Sequence, residues 1–109
     1  MTKYSQGAAF ERKVVQYLIE SIGAIHVVRS AGSRGIIDLL ALFDKDLENN
    51  YEPAWLIQVK RDGKMSKADR LKLSALARVT GCVAVLASGN DNHISIAFLP
   101  TVVDLVTSV

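Results

Sequence analysis

Two short strings about twenty residues apart set polar side chains into apolar, strand-like runs. The first string carries Asp38, and the second carries Gln58 and, two residues later, Lys60. Burying a polar group without a partner costs roughly 2 to 7 kcal/mol. Because side chains alternate between the two faces of a strand, Gln58 and Lys60 point to the same side. We therefore expect these polar residues to have a chemical role.

Carboxylate and amide oxygens of this kind suit a hard divalent cation. If the two strands are neighbours, Asp38 stands beside Gln58, and Glu11 on a preceding helix can reach the same pocket. The pattern predicts Mg²⁺ as cofactor, with Mn²⁺ as a substitute. The metal would activate a water and polarise a phosphodiester, while Lys60 would orient that water or offset negative charge. The predicted catalytic residues are Glu11, Asp38, Gln58 and Lys60, the first three as metal ligands.

Purely structural roles stay open for these residues. Asp38 would then cap the glycine-rich loop before it, Lys60 would be the first exposed residue after its strand, and Glu11 would be a solvated helix residue. His26 lies in an apolar strand and is interpreted as a structural histidine rather than a ligand.

The periodicity of the chain predicts the elements that position the candidate residues. One helix is predicted over residues 7–22, a second between the N-cap Ser66 and Gly81, and a short helix in the tail, residues 100–109. Five strands are predicted at residues 24–29, 36–43, 54–60, 82–87 and 93–98. The second helix is expected to bury a broad apolar face of Leu71, Leu73, Ala75, Leu76, Ala77 and Val79. This order indicates an α/β fold with a central mixed five-stranded sheet flanked by helices, in which the second and third strands are too apolar for an edge.

Length and composition indicate one domain over residues 1–109. Half of the residues are hydrophobic, enough for a single core. The single cysteine, Cys82, cannot form an intramolecular disulfide and is expected to be reduced. No signal peptide and no apolar run of about 18 residues is recognised, so we expect no membrane association. The expected location is the cytoplasm, or the host cytoplasm for a viral chain.

Basic residues concentrate in one part of the chain although the net charge is only +2. Residues 60–81 carry seven basic groups against Asp62 and Asp69. Such a stretch is suited to phosphates or is simply a solvated helix face, and charge alone leaves both open. The candidate phosphate contacts are Lys3, Lys13, Arg34, Lys64, Lys67, Arg70 and Lys72.

A larger ordered set of residues carries a family resemblance. The set is Gly7, Glu11-Arg12, Val28-Arg29-Ser30-Ala31-Gly32-Ser33, Asp38 and Gln58-Val59-Lys60. Over residues 7 to about 86, the chain resembles the archaeal-type Holliday junction resolvases of the PD-(D/E)XK nuclease superfamily. The resemblance implies a restriction-endonuclease-like core in which Glu11, Asp38 and Gln58 bind or support metal and Lys60 is the catalytic lysine. It also implies that Arg12 and Arg29 contact phosphates and that Ser33 belongs to a flexible loop near the scissile strand.

Two positions depart from the pattern of that family. Ile37 stands where the family often has Pro, which should affect mainly the stiffness of the loop. Gln58 stands where Glu is usual. A Gln oxygen can ligate a cation, but the site loses one negative charge. We therefore expect a working active site that needs a higher Mg²⁺ concentration for cleavage.

The sequence predicts a Mg²⁺-dependent, structure-selective endodeoxyribonuclease that resolves four-way (Holliday) junctions by paired nicks. Two nicks need two active sites, so we expect a homodimer on four-way or branched DNA. The DNA-binding residues are predicted as Arg12, Arg29, Ser33, Arg34, Lys64, Lys67 and Arg70. One alternative is a virus-type replication or repair nuclease that acts on other branched DNA. The string Gly63-Lys64-Met65-Ser66 resembles a turn found in such nucleases. The other alternative is a non-catalytic DNA-binding protein with a nuclease-like fold.

Overall fold

The computed structural model describes residues 3–30, 35–44, 54–90 and 92–99, and within residues 3–7 the backbone only. The elements in order are α1 (Lys3–Tyr17), a π-helical turn that continues it (Leu18–Ile22), β1 (His26–Arg29), β2 (Leu39–Leu42), β3 (Ala54–Val59), α2 (Lys67–Thr80), β4 (Val83–Asn90) and β5 (His93–Phe98). The α/β architecture with a mixed five-stranded sheet flanked by helices is confirmed.

The sheet has the strand order β1-β2-β3-β4-β5. Strands β3 and β4 are parallel, and every other neighbouring pair is antiparallel. A parallel pair needs a crossover connection, which α2 provides between β3 and β4. Strands β2 and β3 lie in the interior of the sheet, as their apolar sequences predict.

Alternating side chains of the strands form two cores on the opposite faces of the sheet. Trp55 and Ile57 pack with a buried stripe of Phe10 and Val14 on α1 and Leu18 in the π-helical turn. The core under α2 includes Leu56, Met65, Leu73, Ala77, Ala84 and Leu86. Each fully buried large apolar side chain contributes roughly 1.5 to 3 kcal/mol. The sheet therefore lies between α1 and α2. The candidate residues lie at the end of β3.

Helix α2 begins and ends where the sequence predicts, but its buried face is narrower. Ser66 caps it, and Leu73 and Ala77 are buried in a single stripe. Val79 is 84% exposed, and Ala75 is exposed as well, contrary to the prediction. A step of two residues turns an α-helix by about 200°, so Ala75 and Val79 lie opposite the buried stripe. Leu76, at 37% exposed, borders it.

Other element boundaries differ by a few residues. Helix α1 begins at Lys3 rather than at residue 7, β1 begins at His26 rather than at residue 24, and β2 is shorter than predicted. His26, interpreted as a structural histidine rather than a ligand, is exposed on the edge strand β1. The predicted terminal helix over residues 100–109 lies outside the described residues.

Strand β4 continues through the segment predicted as a turn. It reaches Asn90, which pairs with His93 in a tight hairpin. Gly89 has φ 123°, and a Cβ there would lie 2.1 Å from the His93 carbonyl oxygen. Only glycine fits this close approach of the two strands. None of the described helices is both long and apolar enough to cross a bilayer.

Candidate active site

A cleft of about 240 Å³ lies at the carboxyl end of β3, and we call it the β3 cleft. Its lining residues are Phe10, Glu11, Gly35, Asp38, Gln58, Val59, Lys60 and Arg61. The four residues predicted to be catalytic, Glu11, Asp38, Gln58 and Lys60, therefore line one cleft. They come from α1, from the segment before β2, and from the end of β3.

Asp38 is held in the cleft by backbone hydrogen bonds on both sides. The antiparallel register pairs Leu39 with Ile57, so Asp38 falls opposite Gln58, as expected. The Asp38 N–H donates to the Ile57 carbonyl at 2.8 Å, and the Ser30 N–H donates to the Asp38 carbonyl at 2.9 Å. The Val59 N–H donates to Oδ2 of Asp38 at 2.7 Å. One carboxylate oxygen is thus oriented by β3.

Burial raises the pKa of the Asp38 carboxyl above its usual value. The hydrogen bond from Val59 and the positive charge of Lys60 act in the opposite direction, because both stabilise the carboxylate. Desolvation outweighs them. A bound cation would supply the stabilisation that the carboxylate lacks.

Gln58 is the second buried polar group of the site. Its side chain is only 7% exposed, and its Oε1 has no hydrogen-bond partner among the residues that the structure describes. Leaving such an acceptor unpaired costs about 1 to 3 kcal/mol. Buried polar atoms without partners are uncommon and indicate a missing water, ion or ligand. The unpaired oxygen of Gln58 therefore favours a bound group in the β3 cleft.

Glu11 reaches the cleft from α1 and forms an ion pair with Arg29. The Arg29 Nε lies 3.5 Å from Oε1 of Glu11, and the two side chains are 44% and 26% exposed. The resemblance assigns Glu11 to metal and Arg29 to phosphate, yet here they contact each other. The ion pair orients Glu11 and offsets part of its charge.

Lys60 follows β3 directly and is half-buried. Its N–H donates to the Ala87 carbonyl at 2.9 Å, which fixes its backbone against β4. Within the described ranges its ammonium group has no hydrogen bond and no ion pair. The charge is close enough to Asp38 to act on its pKa. All three ammonium donors are therefore available to a water or a phosphate oxygen.

Arg61 lines the cleft but is missing from the residues predicted from the sequence. Val59 packs against the core under α1, and Arg61, in the turn after β3, reaches the same side of the sheet. The Arg61 Cζ lies 5.8 Å from the centroid of the Phe10 ring, within the range of a cation–π contact. The signal in the sequence was a second basic residue, directly after Lys60.

The predicted DNA-binding residues are dispersed, and among those described Arg29 forms an ion pair with a cleft residue, Glu11. Arg12 is exposed, and its Nε donates to the Ala8 carbonyl within α1 at 3.4 Å. Lys64 and Lys67 are exposed near the start of α2, and the Nε of Arg70 donates to the Met65 carbonyl at 3.3 Å. Ser33 and Arg34 lie outside the described residues.

The donor set is sparse but fits a magnesium-type ion. Among the described residues, no three His, Cys, Asp or Glu side chains gather into a group that could hold a metal. The protein offers the carboxylates of Glu11 and Asp38 and the unpaired amide oxygen of Gln58. Mg²⁺ keeps several waters and commonly takes only one or two carboxylates from a protein.

Comparison with known proteins identifies the fold. No protein-family model matches the chain, and no curated protein matches it. Among solved structures, it is similar to Hjc of Archaeoglobus fulgidus, a Holliday junction resolvase from an archaeal hyperthermophile, with a TM-score of 0.60. The fold resembles that of an archaeal Holliday junction resolvase. The match covers 86% of this chain and 76% of Hjc at 22% sequence identity. The resemblance read from the sequence is thus confirmed at the level of the fold.

Proposed function

We propose that the protein is a metal-dependent endodeoxyribonuclease that resolves four-way DNA junctions by paired nicks. The observation that carries this proposal is the β3 cleft, where Glu11, Asp38, Gln58 and Lys60 meet in a fold similar to that of Hjc. The oxygen of Gln58 adds support, because it has no hydrogen-bond partner among the described residues and a bound group in the cleft would supply one.

The cofactor of the proposed reaction is Mg²⁺, with Mn²⁺ as a substitute. Asp38 and Gln58 would hold the ion, with Glu11 as a third ligand or ligand support, and the bound ion would supply Lewis-acid stabilisation and a more acidic water. Asp38 is oriented for this role by the Val59 N–H. Lys60 would donate from its free ammonium to the attacking water or to a phosphate oxygen, which stabilises negative charge as it develops.

Recognition in this proposal follows the DNA backbone rather than base sequence. Lys64 and Lys67 are exposed near the start of α2 and are suited to phosphate contacts. Arg12 and Arg29 would contribute on the side of α1. Because such contacts release counterions, binding should weaken steeply with salt.

Paired nicking implies two cleft-bearing protomers. A two-fold homodimer would present two β3 clefts to the two continuous strands of a junction. The proposal also includes recombination or repair as the setting of the reaction, and a cytoplasmic location, which the unpaired Cys82 suits.

A non-catalytic DNA-binding protein is the second candidate. Two observations favour it: Gln58 brings no charge to the cleft, and Glu11 is already paired with Arg29. With these two features, the attraction of the cleft for a cation is lower than that of a three-carboxylate site.

A cleavage assay separates these functions. A synthetic four-way junction, a linear duplex, a branched fork and single-stranded DNA are each incubated with Mg²⁺, Mn²⁺ or EDTA and resolved on denaturing gels. The proposal expects symmetric nicks in the junction with metal only. Junction binding without nicks under any divalent metal would instead establish the non-catalytic candidate. Equal cleavage of all duplexes would remove junction selectivity, and preference for the fork would favour the virus-type nuclease.

The matched pair for this assay is Lys60→Ala and Arg78→Ala. Both remove one positive charge, but Arg78 is an exposed residue of α2 that does not line the cleft. The proposal expects cleavage to be lost in the first variant and retained in the second. Equal cleavage by both variants would exclude Lys60 from the reaction.

A further inference from the structure

Arg61 presents a positioned guanidinium at the β3 cleft. Its backbone is anchored, because the Gly89 N–H donates to the Arg61 carbonyl at 3.1 Å and the preceding residue bonds to β4. Its Cζ lies 5.8 Å from the ring centroid of Phe10. Phe10 is only 1% exposed and belongs to the core under α1. The aromatic face that supports Arg61 is therefore fixed by the core.

The charge of Arg61 is not neutralised by its neighbours. Within the described parts of the chain, no carboxylate pairs with its guanidinium, and the cleft carboxylate that does form an ion pair, Glu11, pairs with Arg29. A cation–π contact at an exposed site is worth only about 0.5 to 1 kcal/mol and uses none of the five N–H donors. The contact therefore holds the side chain in place and leaves its donors available.

The charges around the cleft suit an anion as the partner of Arg61. The cleft lining carries two carboxylates, Glu11 and Asp38, and two cations, Lys60 and Arg61, while Gln58 is neutral. A phosphate can approach such a cleft without the repulsion that a third carboxylate would cause. The planar guanidinium matches two oxygens of a phosphate with two parallel N–H donors.

We propose that Arg61 binds a backbone phosphate of the DNA at the β3 cleft, and that this contact forms without metal. The inference rests on the proposed function in taking DNA as the substrate. In this proposal Arg61 orients the DNA strand over Asp38, Gln58 and Lys60. In this arrangement DNA engages the cleft before cleavage, and metal is required for cleavage alone.

The test measures binding of a fluorescently labelled synthetic four-way junction in EDTA across a series of salt concentrations. The variants are Arg61→Gln, Arg61→Lys and the matched control Arg78→Gln, which removes the same charge from an exposed residue in the last turn of α2. Arg61→Gln should weaken binding about tenfold and lower the salt slope by about one. Arg61→Lys should keep the slope and bind with intermediate affinity, since it keeps the charge but loses the paired donors. Arg78→Gln should bind nearly as wild type.

Several results would overturn the assignment. An unchanged salt slope for Arg61→Gln would show that Arg61 contacts no phosphate. Equal weakening by Arg61→Gln and Arg78→Gln would show that Arg61 acts only through net charge. Thermal unfolding of each variant verifies that the fold is intact. If the wild-type protein binds the junction but never cuts it, the nuclease proposal is wrong while the proposal for Arg61 still holds. If the wild-type protein binds no DNA, both proposals are wrong.

Discussion

At the scale of single residues, Asp38 is held where its neutral form is favoured. Burial raises the pKa of its carboxyl, against the hydrogen bond from Val59 and the charge of Lys60. A raised pKa means that the folded protein is more stable when the Asp38 carboxyl is protonated than when it is ionised. This contribution to stability is full at pH values below the pKa of the unfolded chain and is lost as pH rises through the folded pKa.

Asp38→Asn should therefore be more stable than wild type at pH 7 in EDTA, while losing cleavage. The amide keeps an oxygen that accepts from the Val59 N–H but carries no charge to desolvate. The gain in the free energy of unfolding should shrink as pH falls through the raised pKa of the folded state and be gone below about 4, the pKa of the unfolded chain. Denaturant unfolding from pH 3 to 8 measures it. Glu20→Gln, which removes an exposed carboxylate outside the cleft, is the control. A less stable Asp38→Asn at pH 7, or one that cuts normally, would contradict this account.

Gln58 sets the charge of the proposed metal site. Gln58→Glu should lower the Mg²⁺ concentration for half-maximal cleavage by about tenfold, because a carboxylate replaces a neutral oxygen. Without metal, the same variant should be less stable than wild type, since the new charge is buried. Titration of Mn²⁺ by calorimetry gives a readout independent of cleavage.

The matched control for Gln58→Glu is Asn92→Asp. Asn92 is an exposed residue outside the β3 cleft, so its substitution also turns a neutral amide into a carboxylate. Metal affinity that is unchanged in Gln58→Glu, or raised equally by both variants, would exclude Gln58 as a ligand.

At the scale of elements, β3 and the start of α2 bring the proposed machinery together. Strand β3 ends at the cleft, and the turn after it leads to the exposed Lys64 and Lys67. The start of α2 is defined by its cap, in which the Asp69 N–H donates to Oγ of Ser66 at 3.1 Å. The cap therefore stabilises the segment that carries the predicted phosphate contacts.

Ser66→Ala should destabilise the protein by about 1 kcal/mol, because the first turn of α2 loses an acceptor for a backbone N–H. Ser95→Ala, in an exposed position of the edge strand β5, should change stability by less than about 0.5 kcal/mol. Urea unfolding followed by circular dichroism compares the two. Equal effects would mean that the cap contributes nothing to α2.

At the scale of the whole molecule, paired nicking requires two chains. Light scattering after gel filtration should give twice the 11.9 kDa mass of one chain at concentrations that support cleavage. On a plasmid with an extruded cruciform, a dimer should produce linear product in one binding event, since both nicks fall within one complex. A monomer mass at active concentrations, or nicked circles as the sole product, would contradict paired nicking.

Local patterns in the sequence determined most of the elements and half of the cleft. Alternation and helical periodicity depend on neighbouring residues, so they predicted five strands and two helices with errors mainly at the ends. Asp38, Gln58 and Lys60 stood out because a polar residue in an apolar run is visible without a structure. The mixed sheet followed from the element order, and the solved structure of Hjc has a similar fold.

Only the tertiary structure decided which distant residues meet. It paired Glu11 with Arg29, left Oε1 of Gln58 without a partner among the described residues, and set Arg61 over Phe10. The contacts of Glu11 and Phe10 depend on how α1 packs against the sheet, which packing of the whole core determines. The exposure of Val79 has the same origin, because a helix buries only the stripe that the sheet can reach. The two polar strings of the sequence thus meet in one cleft, where we propose that Gln58 binds a metal and that Arg61, which has no ion pair among the described residues, binds a phosphate.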